Sequence, residues 1–145
     1  PGAFGGNLDI KDLTVGSTLY LPIFHAGALF YVGDPHAAQG DGEVSGTAIE
    51  QSLSGRFRLV LHKDMPLSMP RVETDAHYIL MGIDLDLDRA LQQAVDEVVS
   101  FLVEEKGLTP TKAVSLASIA VDFQVAEAVD LTQLVTGKIP KSIFR

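Results

Sequence analysis

The chain has 145 residues, of which 46% are hydrophobic, with a formal net charge of −8 and no cysteine. The acidic balance argues against nucleic acid and anionic membrane surfaces as partners, because phosphate binding needs clustered Lys and Arg side chains. The lack of cysteine excludes disulfides and a cysteine nucleophile. No apolar run approaches the roughly 20 residues of a membrane span, so the sequence predicts a soluble, cytoplasmic protein.

Residues 1–65 predict a β-rich, sandwich-like part of an α+β fold. Apolar Leu19, Leu21 and Ile23 alternate with polar or turn residues, which predicts a strand over residues 17–24. Further runs predict strands over residues 28–32, 43–51 and 56–62.

Residues 66–145 predict a smaller α/β part with one long and one short helix. Pro66 and Pro70 mark the connection between the two parts. A strand is predicted over residues 76–83, and apolar residues at helical spacing predict a long helix from Leu87 to the Lys106-Gly107 pair. Thr109 and the proline after it predict a second helix to about residue 118, followed by a strand over residues 119–129.

The segment between residues 32 and 44 is rich in both glycine and chemically active side chains. Within ten residues it carries a set of groups able to bind a metal, hold a water or move a proton: Asp34, His36, Gln39, Asp41 and Glu43. An ordinary connecting loop needs turn residues but not this set. Its glycines allow the chain to curl so that several side chains meet, which predicts a functional site.

The residue types of this loop are those that bind a divalent metal ion in proteins. Asp34 and His36 flank a proline and have the spacing of two ligands from one extended piece, and Asp9 follows Asn7 at the i, i+2 spacing that places both on one side of an extended segment. A His and carboxylate mixture favours zinc, while calcium is the alternative. His25, His62 and His77 lie in apolar or alternating contexts and are not predicted to be ligands.

Three stretches resemble the acetamidase/formamidase family: Phe4–Asp9, the acidic loop through Gly46–Glu50, and Ser115–Phe123. They occur in the family's order, and the resemblance extends almost from end to end. One departure is Ser45, where cysteine is often expected. The resemblance implies hydrolysis of the C–N bond of small amides such as formamide or acetamide, with release of ammonia.

Under that interpretation each polar residue receives an expected role. Asp9, Asp34 and His36 are the expected metal ligands, and Glu43 is the expected general base with Asp41 as a second catalytic acid. Asn7 and Gln39 are expected to bind the substrate. Asp9 and Asn7 would equally suit a turn cap, and a metal-free carboxylate mechanism stays open. The acids Asp122, Glu127 and Asp130 are not expected to take part in catalysis, and Asp122, which alternates with Val121 and Phe123, is expected to be an outward-facing polar residue of a half-buried strand.

The competing hypothesis is a non-catalytic β-sandwich module that binds a structural calcium ion, or a subunit whose catalytic groups lie on another chain. Members of the resembled family are about twice as long, and the resemblance begins at their middle. The chain is therefore expected to be the C-terminal half of a larger protein, paired with the N-terminal half of the same precursor as a second chain. A homo-oligomer is also expected.

Overall fold

A computed structural model describes residues 1–144 and contains one five-stranded antiparallel sheet with two helices. The strands are β1 (Thr18–Tyr20), β2 (Arg71–Glu73), β3 (His77–Asp84), β4 (Asp122–Glu127) and β5 (Gln133–Pro140), in the spatial order β1-β2-β3-β5-β4. The helices are α1 (Leu87–Glu104) and α2 (Pro110–Ala120), and a single 3₁₀ turn covers Lys141–Ile143. The predicted α+β class, with one long and one short helix, is confirmed.

Both helices begin where the sequence predicts. The side chain of Asp86 accepts a hydrogen bond from the backbone N–H of Arg89 at 3.1 Å and so caps α1. Pro110 occupies the first turn of α2, where its missing N–H leaves no bond unmade. The predicted strands at residues 17–24, 76–83 and 119–129 correspond to β1, β3 and β4.

The two faces of the sheet bury different partners. Leu80 of β3 and Ile139 of β5 face the two helices, and they form one buried cluster with Val98 and Leu102 of α1. Their neighbours in sequence point to the other face, as strand alternation requires. There a second cluster forms with the N-terminal segment, and its buried members are Ile10, Val72, Ile79, Met81, Ala126 and Leu134. Because the N-terminal segment packs on this second face, its polar residues lie near the end of β4.

The remaining strand predictions are wrong. Within residues 21–70 the described chain forms no strand, only the isolated bridges between His36 and Glu50 and between Gly42 and Glu127. The expected strands at residues 28–32 and 56–62 pair with no other segment of the described chain, and side chains such as Tyr31 and Leu59 are 86% and 70% exposed. The expected strand at residues 43–51 forms only the isolated bridge of Glu50 with His36. An alternating pattern forms a strand only when a partner strand and a covering layer are present. The division at residues 65/66 stays a prediction.

Candidate functional site

The acidic loop closes on itself as a short pair of extended segments. Ala37 N–H donates to the carbonyl of Ile49 at 2.8 Å, Ile49 N–H donates to Ala38 at 3.0 Å, and Gln51 N–H donates to Pro35 at 3.2 Å. These bonds place residue 36 directly opposite residue 50. The closure brings a histidine and a glutamate together that are distant in sequence.

The same loop is fixed to the end of β4 through Gly42. Its N–H donates to the carbonyl of Ala126, and its carbonyl accepts from the N–H of Ala128, both at 2.9 Å. Gly42 has a φ of 88°, which glycine adopts without strain, and Glu43 follows with a φ of 40°. A non-glycine residue in this region costs free energy and is common at functional sites. The sheet therefore sets the position of Glu43.

The imidazole of His36 is held in one orientation by its neighbours. Gln39 donates through Nε2 to the carbonyl of Asp9 at 2.7 Å, so its Oε1 is left to accept from His36 Nδ1 at 3.0 Å. The Nε2 atom of His36 then faces Glu50 Oε2 at 3.1 Å and Asp34 Oδ1 at 3.4 Å. The hydrogen bond to Gln39, followed by the carboxylate charges, raises the pKa of His36.

Two overlapping groups of side chains meet the spacing of a metal site, and both include His36. One consists of Asp9, Asp34 and His36, and the other of His36, Glu43 and Glu50, each with its donor atoms within 4.8 Å of one another. Ligands of a tetrahedral zinc ion lie about 3.4 Å apart, close to the separations of His36 from Glu50 and Asp34. A histidine that donates its second ring nitrogen to an oxygen is also the usual arrangement of a metal ligand. The residues therefore fit a divalent ion.

Glu43 is the most enclosed acid of the loop, with a side chain only 7% exposed. Burial, and then the negative charge of Asp9 beside it, raises the pKa of Glu43 to about 7. A carboxyl group in this state exchanges its proton near neutral pH, which is the property of a general acid or base.

The structure brings together four of the predicted site residues, Asp9, Asp34, His36 and Glu43, and places Gln39 behind the histidine. Asp41 lies apart from the two donor groups, where it accepts a hydrogen bond from Lys11 Nζ at 2.7 Å. Both polar ends of the Gln39 side chain are used within the protein.

Asn7 lies in a second polar group at the end of β4. Its Nδ2 donates to Glu127 Oε1 at 3.3 Å and to Asp130 Oδ2 at 2.5 Å. Glu127 is fully buried, and burial raises its pKa to about 8. The sequence pattern indicates no site role for Glu127, and its contact with Asn7 arises only from the fold.

Glu50 was not predicted as a site residue, although it ends one of the stretches that resemble the family. Its carboxylate accepts from the N–H of Ala48 at 3.0 Å, which together with Thr47 lowers the pKa of Glu50. The group is thus kept ionised opposite His36.

Comparisons with known proteins agree on one family. The model of the Acetamidase/Formamidase family matches residues 1–145. Formamidase of Methylophilus methylotrophus is 31% identical over 167 residues, which cover 99% of this chain and 41% of that protein. The chain thus spans less than half the length of this curated relative.

Solved structures give the same result. The crystal structure of acetamidase from Bacillus halodurans is 33% identical, with a TM-score of 0.84 over 99% of this chain and 49% of that one. Acetamidase from Yersinia enterocolitica is 31% identical, with a TM-score of 0.87 over 97% of this chain and 43% of that one. Sequence and fold together show that the chain belongs to the acetamidase/formamidase family.

Proposed function

We propose that this chain contributes the catalytic site for hydrolysis of small linear amides, with release of ammonia. The observation that carries the proposal is the enclosed carboxyl of Glu43, fixed by the sheet within the donor group of His36. Membership of the family, and relatives named formamidase and acetamidase, support the substrate class.

Glu43 acts as the general base and then as the general acid. Its carboxylate takes a proton from water as the water oxygen bonds to the amide carbon. The protonated carboxyl then returns that proton to the nitrogen as the C–N bond breaks, which yields a carboxylic acid and ammonia. One carboxyl can serve both steps because burial raises the pKa of Glu43 in the metal-free protein to about 7, so that the group takes up and releases a proton near neutral pH.

Asp9, Asp34 and His36 would hold a divalent metal ion, for which zinc is favoured and calcium is the alternative. Glu50 belongs to the second donor group, with His36 and Glu43. When bound, such an ion supplies polarisation of the amide oxygen and a lower pKa for water. Gln39 keeps the Nε2 atom of His36 directed at the carboxylates, so its proposed role is to position the histidine.

Asn7 is proposed to bind the amide, and Asp41 to anchor the loop through Lys11. Lys11 has its pKa raised first by the hydrogen bond to Asp41. A pair this exposed contributes little to stability, so Asp41 is assigned to loop geometry and not to the proton transfers.

Ammonia release from formamide and acetamide tests the proposal. The protein is treated with a chelator, assayed, and assayed again after zinc or calcium is restored. Glu43→Gln should lower kcat by about 100-fold or more, the scale of general acid–base catalysis. Glu104→Gln, an exposed acid at the end of α1, is the matched control and should retain wild-type kcat. Equal kcat in the two variants would remove Glu43 from the mechanism.

The donor groups around His36 equally support a second candidate function, a module that binds a structural metal ion without catalysis. In that case calcium would raise the melting temperature while neither amide releases ammonia. Ammonia release that is lost with the metal and restored with it would contradict this alternative.

A further polypeptide is proposed to cover the apolar side chains of residues 23–61. Among them Phe24, Leu29 and Phe57 are 60%, 77% and 56% exposed, and large exposed apolar patches mark interaction surfaces. The proposed partner is the N-terminal half of the same precursor, and the assembly is a homo-oligomer of such pairs. Native mass spectrometry compared with the denatured sample tests both: a folded, active 15.5 kDa monomer would contradict them. Among residues 1–144, neither α1 nor α2 combines the length and the hydropathy that a membrane-spanning helix requires.

A further inference from the structure

Glu127 occupies an unusual place at the end of β4, because a β-bulge changes the face on which its side chain lies. Val125 pairs with Val135, whereas Glu127 pairs with Leu134, so one extra residue lies between them. Directly paired residues share a face, and Leu134 belongs to the cluster that packs against the N-terminal segment. Without the bulge, Glu127 would share the helix-covered face with Val125. Bulges are frequent beside active sites, where they redirect a side chain.

The carboxyl of Glu127 is completely buried, and only one of its two oxygens has a hydrogen-bond partner among the described residues. Oε1 accepts from Asn7 Nδ2 and lies 4.0 Å from the amino group of Pro1, whereas Oε2 has no hydrogen-bond partner among the described residues. An unsatisfied buried polar atom costs about 1–3 kcal/mol, and an apolar residue at this position would avoid that cost. Stability alone therefore does not explain an acid here.

Glu127 also links two polar groups, one around Asn7 and the other around His36 and Glu43. The residues on either side of it, Ala126 and Ala128, make the two backbone bonds that fix Gly42, and Gly42 precedes Glu43. Its side chain meanwhile holds Asn7. One position in β4 thus connects the proposed base and the proposed substrate-binding residue.

The contacts of Asn7 determine which of its atoms is available to a ligand. Glu127 and Asp130 are both acceptors, so the amide nitrogen of Asn7 faces them and its two N–H groups are used. Its Oδ1 has no partner in the described part of the chain, and the residue is exposed. The free group is therefore an acceptor, which suits an N–H of an amide and not a carbonyl oxygen.

We propose that Glu127 is a positioning residue that fixes the Asn7 carboxamide so that Asn7 Oδ1 accepts an N–H from the nitrogen of a primary amide substrate. This rests on the proposed amide hydrolysis and adds the basis of selectivity. An amide without N–H groups makes no such bond, so Asn7 discriminates against it.

The test uses Glu127→Met, which keeps a similar size and removes the acceptor, with Glu127→Gln as the conservative variant. Glu127→Met should raise the KM for acetamide about tenfold, the upper range for one hydrogen bond between neutral groups. The inhibition constant of N,N-dimethylacetamide, which has no N–H, should stay within about twofold of wild type. Glu127→Gln retains an acceptor for Asn7 and should restore the wild-type KM. A general loss of structure would instead move both constants.

Asp130→Gly provides a second variant that does not disturb the core, because Asp130 is exposed and has a φ of 67° that glycine adopts freely. It removes the other acceptor of Asn7 and should raise the same KM without changing the inhibition constant. Equal shifts of both constants in Glu127→Met and Asp130→Gly, or no shift in either, would overturn the proposal.

The Asn7 side-chain amide signals in a ¹⁵N spectrum separate this proposal from the proposed function. They should move in Glu127→Met and remain in place in Glu127→Gln, whether or not the protein turns over amides. Unmoved Asn7 signals in Glu127→Met refute the positioning role. A wild-type protein that releases no ammonia refutes amide hydrolysis instead.

Discussion

Replacing Glu43 with glutamine is expected to stabilise the metal-free protein above neutral pH and to leave its stability unchanged in acid. Burial raises the pKa of Glu43 from 4.5 to about 7 in the folded protein. The folded state therefore binds this proton more tightly than the unfolded state does. The resulting stability is fully present below pH 4.5 and is lost as the pH rises through about 7. Glutamine has no proton to lose.

The size of the effect follows from the shift. Each pKa unit corresponds to about 1.4 kcal/mol, so a shift to about 7 costs the wild-type protein up to about 3 kcal/mol of unfolding free energy at pH 8. The protonated carboxyl of Glu43 forms a hydrogen bond with Asp9, and a glutamine of the same volume can donate that bond at every pH. Glu43→Gln should therefore exceed wild type by up to about 3 kcal/mol at pH 8 and equal it at pH 4.

Urea unfolding in the presence of a chelator, measured from pH 4 to pH 8, checks this prediction. The quantity of interest is the difference in unfolding free energy between variant and wild type, because acids that do not interact with Glu43 titrate equally in both proteins and their contributions cancel. Glu104→Gln, at an exposed position, should give a difference that does not change with pH. A Glu43→Gln difference that is also constant would refute the argument that burial controls this carboxyl.

Three further predictions concern the metal ligands and the core. Asp34→Asn and His36→Ala should each lower bound metal and ammonia release together, with unchanged circular dichroism, because both lie outside the core; metal stoichiometry equal to wild type in both would remove them as ligands. Gly82→Ala should destabilise the fold by about 3 kcal/mol in urea unfolding, because its Cβ would lie 2.0 Å from the Ala90 carbonyl oxygen of α1; the control Gly33→Ala, with nothing within 4 Å, should be neutral. Lys106→Met should lower the unfolding free energy by about 1 kcal/mol, because its ammonium lies 4.2 Å from the ring centre of Tyr78, and an unchanged denaturation midpoint would contradict that cation–π contribution.

The parts of the fold that sequence predicts are those determined by near neighbours in the chain. The start of α1 at Leu87 follows from Asp86 before it, and its end follows from Gly107 after it. The interior strand β5 was not predicted, because two of its buried positions, Thr136 and Lys138, carry polar side chains. Lys138 is only 9% exposed and is satisfied by Asp12 at 2.5 Å, 126 residues away. Such a partner is not visible in a local pattern.

The candidate site also contains residues that the sequence predicts and one residue that it does not. The clustering of Asp34, His36 and Glu43 is a property of one short segment, so composition and spacing find it. Glu50 joins His36 only because the backbone closes between Pro35 and Gln51, and a pattern of alternating residues does not specify that closure.

Glu127 shows why strand periodicity fails at the place where the proposed function needs it. Alternation assigns faces by counting residues, and a bulge adds one residue without leaving a mark in the composition. Counting by two from Val125 assigns Glu127 to the helix-covered face, whereas the bulge turns its side chain to the opposite face, where it lies buried beside the N-terminal segment. The extra residue of the bulge therefore places the carboxyl of Glu127 beside Asn7. The backbone of Ala126 and Ala128, on either side of Glu127, forms the hydrogen bonds that fix Gly42.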